Sequence, residues 1–166
     1  MVQAAWGKPL IRPTMKNSDP STVNIDLQPG HAIRRLHQIS VGIFLQEAGD
    51  LGITPVQYAA LQVVGNQPGI DQRTLARTIA LDASTTGGVV DRLEARGWME
   101  RRTAPEDRRA RQLVLTASGE QALAACIPAM LRAQEQILAP LSEGQRSDFM
   151  RLLNLLVTQN NEMSRA

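Results

Sequence analysis

The chain has 166 residues, 43% of them hydrophobic and 20% charged, which is enough to build a core and excludes a disordered polyelectrolyte. Aromatic residues make up only 3%, so that core is aliphatic, a composition that favours packed helices over a β-sandwich. The net charge of +2 is unevenly placed: residues 92–111 carry seven arginines against four acids, which fits either a solvated arginine-rich hairpin or a local anionic partner.

Residues 1–27 contain Pro9, Pro13 and Pro20 and show no helical or strand period, so a flexible N-terminal tail is expected, with Met15 as an alternative start. A first helix is expected from Pro29, with Ile33, Leu36, Ile39 or Ser40, Ile43 and Phe44 on one face, ending at Gly49 and Gly52. Thr54-Pro55 reads as a cap and first-turn proline, opening a second helix to Gly65. Asp71 caps a third, short helix over 72–79, and Asp82 caps a fourth over 83–96 that stops at Gly97. In the fourth, Thr85 or Thr86, Val89, Val90 and Leu93 form the inner row, leaving Ser84, Gly87, Gly88, Asp91 and Ala95 outward.

Residues 98–102 and 111–115 read as two strands of a hairpin around the turn-rich 103–108. Thr116 caps a long fifth helix with a stripe of Leu123, Ile127, Met130 or Leu131, Gln134 and Ile137 or Leu138, interrupted by Pro128. Ser142 to Gln145 forms a capping box for a sixth helix, with Phe149, Leu152, Leu153, Leu156 and Val157 inward. The expectation is a mainly α fold with a small β-hairpin wing (α+β), a winged helix-turn-helix at 53–116 flanked by helical dimerisation regions at 28–52 and 117–166. A helix of this kind fits the DNA major groove, and an arginine-bearing hairpin tip reaches a neighbouring minor groove.

Leu75-Ala76-Arg77, Asp82 to Thr86 and Asp91 to Arg101 resemble the helix-turn-helix of the bacterial MarR family, and Ala104 to Thr116 resembles its wing, with an Asp-x-Arg followed by Leu-Thr. The resemblance covers about residues 28–160. It implies a homodimeric, ligand-responsive regulator, a repressor of an aromatic-acid catabolic or related operon that binds a pseudo-palindromic double-stranded operator DNA. The lack of a membrane-length apolar run or signal peptide separately gives the expectation of a cytoplasmic location. By position, Ser84, Thr85, Thr86, Gly87 and Gly88 would lie nearest the bases, with Gln72, Arg73 and Thr74 at the phosphates. Asp107 would orient Arg109, and Arg108 or Arg109 would enter the minor groove, with Arg111 in the same basic wing. Relatives often carry Thr and Arg where this chain has Gly87-Gly88, so base contact would fall to Ser84, Thr86 or Asp91, with close helix packing as the other reading of the glycines.

Relatives often bind small aromatic acids, and His31, Arg34, Arg35 and His37 on the first helix, with Tyr58 on the second, are candidates for an aromatic carboxylate: arginine offers bidentate recognition and histidine a ring hydrogen bond. A solvated helix face is the other reading. The single cysteine, Cys126, excludes an intrachain disulfide and a cysteine metal cluster. It is read as a core residue, with a redox-responsive repressor as the alternative, since some relatives sense peroxide. A winged-helix protein-interaction module is a further alternative. No metal, cofactor or catalytic constellation is expected, no apolar run approaches the roughly 20 residues of a membrane span, and no signal peptide is apparent.

Overall fold

Side-chain oxygens open five of the helices and fix where they begin. The computed structural model of the protein describes residues 24–103 and 111–160. The chain divides into two compact units, 1–38 and 39–166. In the first, Asn24 accepts from the Asp26 amide and opens a 3-10 turn, Ile25–Leu27, inside the segment expected as a tail. The rest of that segment, Met15 included, lies outside the described residues. Helix α1, Pro29–Ala48, starts at the expected proline and ends in a 3-10 turn, Gly49–Leu51, whose C-cap Gly52 has φ +58°.

Helix α2, Pro55–Asn66, carries a full capping box: Gln57 N donates to Thr54 Oγ1 (3.2 Å) and Thr54 N to Gln57 Oε1 (3.0 Å). Asp71 caps α3, Gln72–Thr78, and Asp82 caps α4, Ala83–Ala95. The link between them passes through Ala80 in the left-handed region, φ +54°, an uncommon position for a residue with a Cβ. Thr116 caps α5, Ala117–Leu138, and Ser142 and Gln145 bond reciprocally at the start of α6, Glu143–Asn160. Pro128 lies inside α5, where it removes one backbone donor.

The strands are β1, Ile70–Asp71, β2, Met99–Thr103, and β3, Arg111–Leu115, in the antiparallel order β1-β3-β2. Met99 pairs with Leu115 and Thr103 with Arg111, one residue later than expected for the first hairpin strand. Strand β1 was not expected at all: it is two residues long and is created by Ile70 lying opposite Leu113, a partner 43 positions away. The core of the second unit gathers Ile53, Leu61, Val64, Leu75, Val90, Leu93, Met99 and Leu113, all nearly inaccessible to water.

Two helix faces differ from the sequence expectation. The buried row of α5 is Gly119, Leu123, Cys126, Ala129 and Ala133, whereas Ile127 is exposed and Leu131 is 65% exposed. Small residues let α5 approach its neighbours closely, and the larger apolar side chains turn outward. In α6 no residue is buried; Phe149 and Leu153 are half-covered, while Leu152, Leu156 and Val157 (59%) stand in solvent in the single chain.

The N-terminus of α5 is seated on the turn between α4 and β2. Thr116 N donates to the Trp98 carbonyl (3.2 Å), and both Thr116 Oγ1 and Ser118 Oγ donate to the Gly97 carbonyl at 2.6 Å. A Cβ on Gly119 would stand 1.8 Å from the Trp98 carbonyl oxygen. Two glycine–alanine exchanges should therefore move stability in opposite directions. Gly119→Ala is expected to cost at least about 3 kcal/mol by overpacking backbone, and Ala80→Gly to gain about 1 kcal/mol by relieving the left-handed strain. Urea unfolding of both variants checks this; an unchanged midpoint for Gly119→Ala would contradict the packing at Trp98.

Candidate nucleic-acid interface

Helices α3 and α4 form the helix-turn-helix. Their caps are built alike: Thr74 N donates to Asp71 Oδ1 (2.9 Å) and Thr85 N to Asp82 Oδ1 (2.8 Å), while each threonine hydroxyl bonds the second carboxylate oxygen. These bonds hold both cap carboxyls below the ordinary carboxylate range, with the threonine hydroxyl as the largest cause in each. Both caps spend negative charge at a helix N-terminus, where the helix dipole welcomes it.

The inner row of α4 is Thr86, Val89, Val90 and Leu93, as the periodicity predicts. Ser84, Thr85, Asp91 and Ala95 are exposed, and Gly87 and Gly88 half-exposed. Thr86 is the correction among the predicted base-contacting residues. It is fully buried and its hydroxyl donates to the Asp82 carbonyl (2.8 Å), so its side chain does not reach the helix surface. A Cβ on Gly87 would meet only Gln72 Nε2, at 3.4 Å, and one on Gly88 only Arg92 Nη2, at 3.8 Å. Both neighbours are ends of flexible side chains, so helix packing does not require either glycine.

Of the residues predicted at the phosphates, Arg73 is exposed, Thr74 is engaged with Asp71 and Arg77, and Gln72 is half-buried with its Oε1 accepting from Arg101 (3.1 Å). Arg111 is exposed at the start of β3, where its Nη1 donates to Thr103 Oγ1 (2.8 Å) across the last described pair of the hairpin. The predicted wing-tip residues Asp107, Arg108 and Arg109 lie outside the described residues.

Sequence reasoning missed two arginines that hold this surface in place. Arg101 on β2 reaches back to α4, where it pairs with Asp91 (2.7 Å) and Glu94, and its backbone amide donates to Glu94 Oε1 (2.8 Å). Asp91 is therefore ion-paired rather than open for base contact. The available signal was the Asp91/Glu94 pair at i, i+3 on α4 with an arginine on the adjoining strand. Arg96, the C-cap of α4, donates to the carbonyls of Gly52 (2.6 Å) and Leu51 (3.2 Å), and its guanidinium lies 3.5 Å over the Trp98 ring.

The candidate effector residues divide between the two units. His31, Arg34, Arg35 and His37 lie on the part of α1 in the first unit, His31 half-buried and the others exposed. His31, Arg34 and Arg35 share a face by their i, i+3, i+4 spacing. Tyr58 lies on α2 in the second unit, half-buried, with its hydroxyl bonded to Gln62 Oε1 (2.9 Å) and its ring 5.9 Å from that of Phe44. Burial, and then the neighbouring Cys126, push its pKa up. Cys126 is buried in the core, and burial pushes its thiol pKa up against the lowering effect of Arg96. A reactive thiol needs the reverse, a lowered pKa and access, so this geometry speaks against the redox reading. Among the described residues, no three His, Cys, Asp or Glu side chains are grouped to hold a metal, and no helix is long and apolar enough to cross a membrane.

Two short capped helices, an antiparallel hairpin rooted beside them and long helices on either side define a winged helix-turn-helix transcriptional regulator. The MarR family profile matches residues 53–110. The HTH-type transcriptional repressor NicR of Pseudomonas putida is 31% identical over 149 residues, 86% of this chain and 94% of its own. The PcaV transcriptional regulator of Streptomyces coelicolor, solved in complex with its natural ligand, superposes with a TM-score of 0.77 at 31% identity, over 82% of this chain and 96% of that one. Bordetella bronchiseptica BpsR, solved to explain regulation of its DNA binding by 6-hydroxynicotinic acid, gives 0.72 at 28% identity, over 76% and 96%. The chain belongs to the MarR family of transcriptional regulators.

The cap carboxyls make a pH prediction. Their folded pKa values lie below the unfolded ones, so their contribution is complete above about pH 4 and is lost as pH falls through the lowered folded values. Asparagine caps equally well without titrating. The doubly substituted Asp71→Asn/Asp82→Asn protein should lose less stability than wild type on acidification below about pH 4, read by denaturant unfolding across pH. Parallel losses in the two proteins would remove the caps as the source.

Proposed function

We propose that this regulator is a homodimeric, ligand-responsive repressor that occupies a pseudo-palindromic operator through α4 and its wing and leaves it when a small aromatic carboxylate binds. The observation that carries the DNA reading is the outward face of α4: it is capped, rigidly supported from behind by Thr86, Val89, Val90 and Leu93, and bare of side chains at Gly87 and Gly88 without any packing need. A bare stretch lets backbone approach base edges closely, with Ser84 beside it and Arg73 at the adjoining helix start for phosphates. Asp107, Arg108 and Arg109 are the proposed wing contacts by their place in the sequence motif, together with Arg111 at the start of β3. Residues 53–116 are the DNA-binding domain, and 28–52 with 117–166 the dimerisation region. The exposed apolar side chains of α6, with Ile127 and Leu131 of α5, supply surface for a second copy to cover.

NicR's designation as a repressor and the control of BpsR by a hydroxylated pyridine carboxylate support repression and an aromatic acid effector. His31, Arg34, Arg35, His37 and Tyr58 are the proposed effector-binding residues. An acid that binds better to a dimer whose recognition helices are mis-spaced for DNA weakens operator binding by the same factor by which DNA weakens its own.

Selection of duplexes from a random pool, repeated with a panel of hydroxylated benzoates and pyridine carboxylates, tests both parts. A two-fold symmetric motif released by one of the acids is expected. The absence of any enriched motif would remove the DNA reading, and retention with every acid would remove the effector. Arg109→Ala should weaken binding to the selected duplex by about 1–3 kcal/mol. Gly88→Ala should raise stability by up to about 1 kcal/mol through helix propensity, yet bind DNA less tightly, as anisotropy and thermal melts of the same sample would reveal.

A further inference from the structure

The outward face of α4 carries a carboxylate where a DNA-binding helix can least use one. Asp91 lies seven residues, two turns, after Ser84 and so falls on nearly the same line along the helix as Ser84, Gly87 and Gly88. Its side chain is 67% exposed. Glu94 follows at i+3, on the side towards β2. Two unscreened negative charges there would repel a phosphate backbone whose charge density dominates nonspecific affinity.

Arg101 answers both. Its Nη1 meets Glu94, its Nη2 meets Asp91 at 2.7 Å and Gln72 Oε1 at 3.1 Å, and its own side chain is only 27% exposed. One guanidinium thus joins the start of α3, the middle of α4 and strand β2. We propose that Arg101 is a positioning residue for DNA recognition: it acts as a built-in counter-ion that masks Asp91 and Glu94, so that α4 can seat in the groove without repulsion, and it fixes α4 against α3 and the wing root at the same time. Asp91 on this account reads no base and is the charge that Arg101 masks; Glu94 and Gln72 still hold the guanidinium when that charge is removed. The inference rests on α4 being the DNA-facing helix.

The experiment uses the full chain and a labelled duplex recovered by wild-type selection, with anisotropy titrations at low and at physiological salt. Arg101→Gln should weaken binding at least tenfold at low salt, and the loss should shrink as salt rises, because screening hides the exposed carboxylates. Adding Asp91→Asn to Arg101→Gln should restore most of the affinity. Asp91→Asn alone, an exposed substitution that leaves the core untouched, should bind as well as wild type or better. A tenfold loss for Asp91→Asn alone would mean that Asp91 contacts a base, and would overturn the proposal even where Arg101→Gln does not fold. An undiminished affinity for Arg101→Gln, or a loss independent of salt and not restored by Asp91→Asn, would overturn it as well. Failure of the wild-type chain to enrich any duplex would instead strike at the reading of α4 itself.

Discussion

The close seating of Gly119 on the Trp98 carbonyl is the contact from which the rest of the second unit takes its geometry. With no Cβ at Gly119, the first turn of α5 reaches the backbone of the α4–β2 turn, and Thr116 and Ser118 complete the joint by donating to the Gly97 carbonyl. Strand β3 runs directly into Thr116, so the end of the hairpin and the beginning of α5 are one continuous segment. Because Met99 pairs with Leu115 beside this joint, β2 starts from the same fixed point. A tilt of α5 at its N-terminus therefore carries the root of the wing with it.

A second tie runs through Arg96. It closes the C-terminus of α4, but its guanidinium is used elsewhere, on the Leu51 and Gly52 carbonyls beyond α1 and on the face of Trp98. The cation over an indole ring and the charge-assisted bonds to backbone act together at a position where α4, the wing root and the α1–α2 connection meet. Glu47, near the end of α1, accepts from Arg132 (2.6 Å) and from Gln136 on α5. The end of α1 is thus linked to α5 directly, and the connection that follows it is linked to α4 through Arg96.

Local chemistry was legible in the sequence, and distant pairing was not. Thr54, Asp71, Asp82, Thr116 and Ser142 announce helix starts because a cap bonds residues two or three positions away, inside the reach of a sequence pattern. The inner row of α4 is equally legible, its period being set within one helix. Strand β1 has no such signature, since Ile70 and Asp71 become a strand only by meeting Leu113 and Gln112. Arg101 looked like one of several wing arginines; its role depends on Gln72, Asp91 and Glu94 converging in space. The face of α5 misled because its largest apolar residues are not its most buried ones: Ala129 and Ala133 are inside where Leu131 is not. Thr86 fits both a core and a base-contact position by its spacing, and its burial and its bond to the Asp82 carbonyl decide between them.

These ties explain how α4 tolerates its own composition. Thirteen residues with two adjacent glycines make a poor helix in isolation, each glycine costing about 1 kcal/mol against alanine. Tertiary structure offsets that cost at several places along the helix. Asp82 satisfies the first amides, and the Thr86 hydroxyl turns inward to the Asp82 carbonyl. Arg101 grips the middle of the helix, Arg96 fixes its end, and burying Val89, Val90 and Leu93 contributes roughly 2 kcal/mol for each side chain. Held from behind and at both ends, the helix can leave its outer surface without side chains at Gly87 and Gly88. A helix that depended on its own propensity for stability could not leave two adjacent glycines on its outer face.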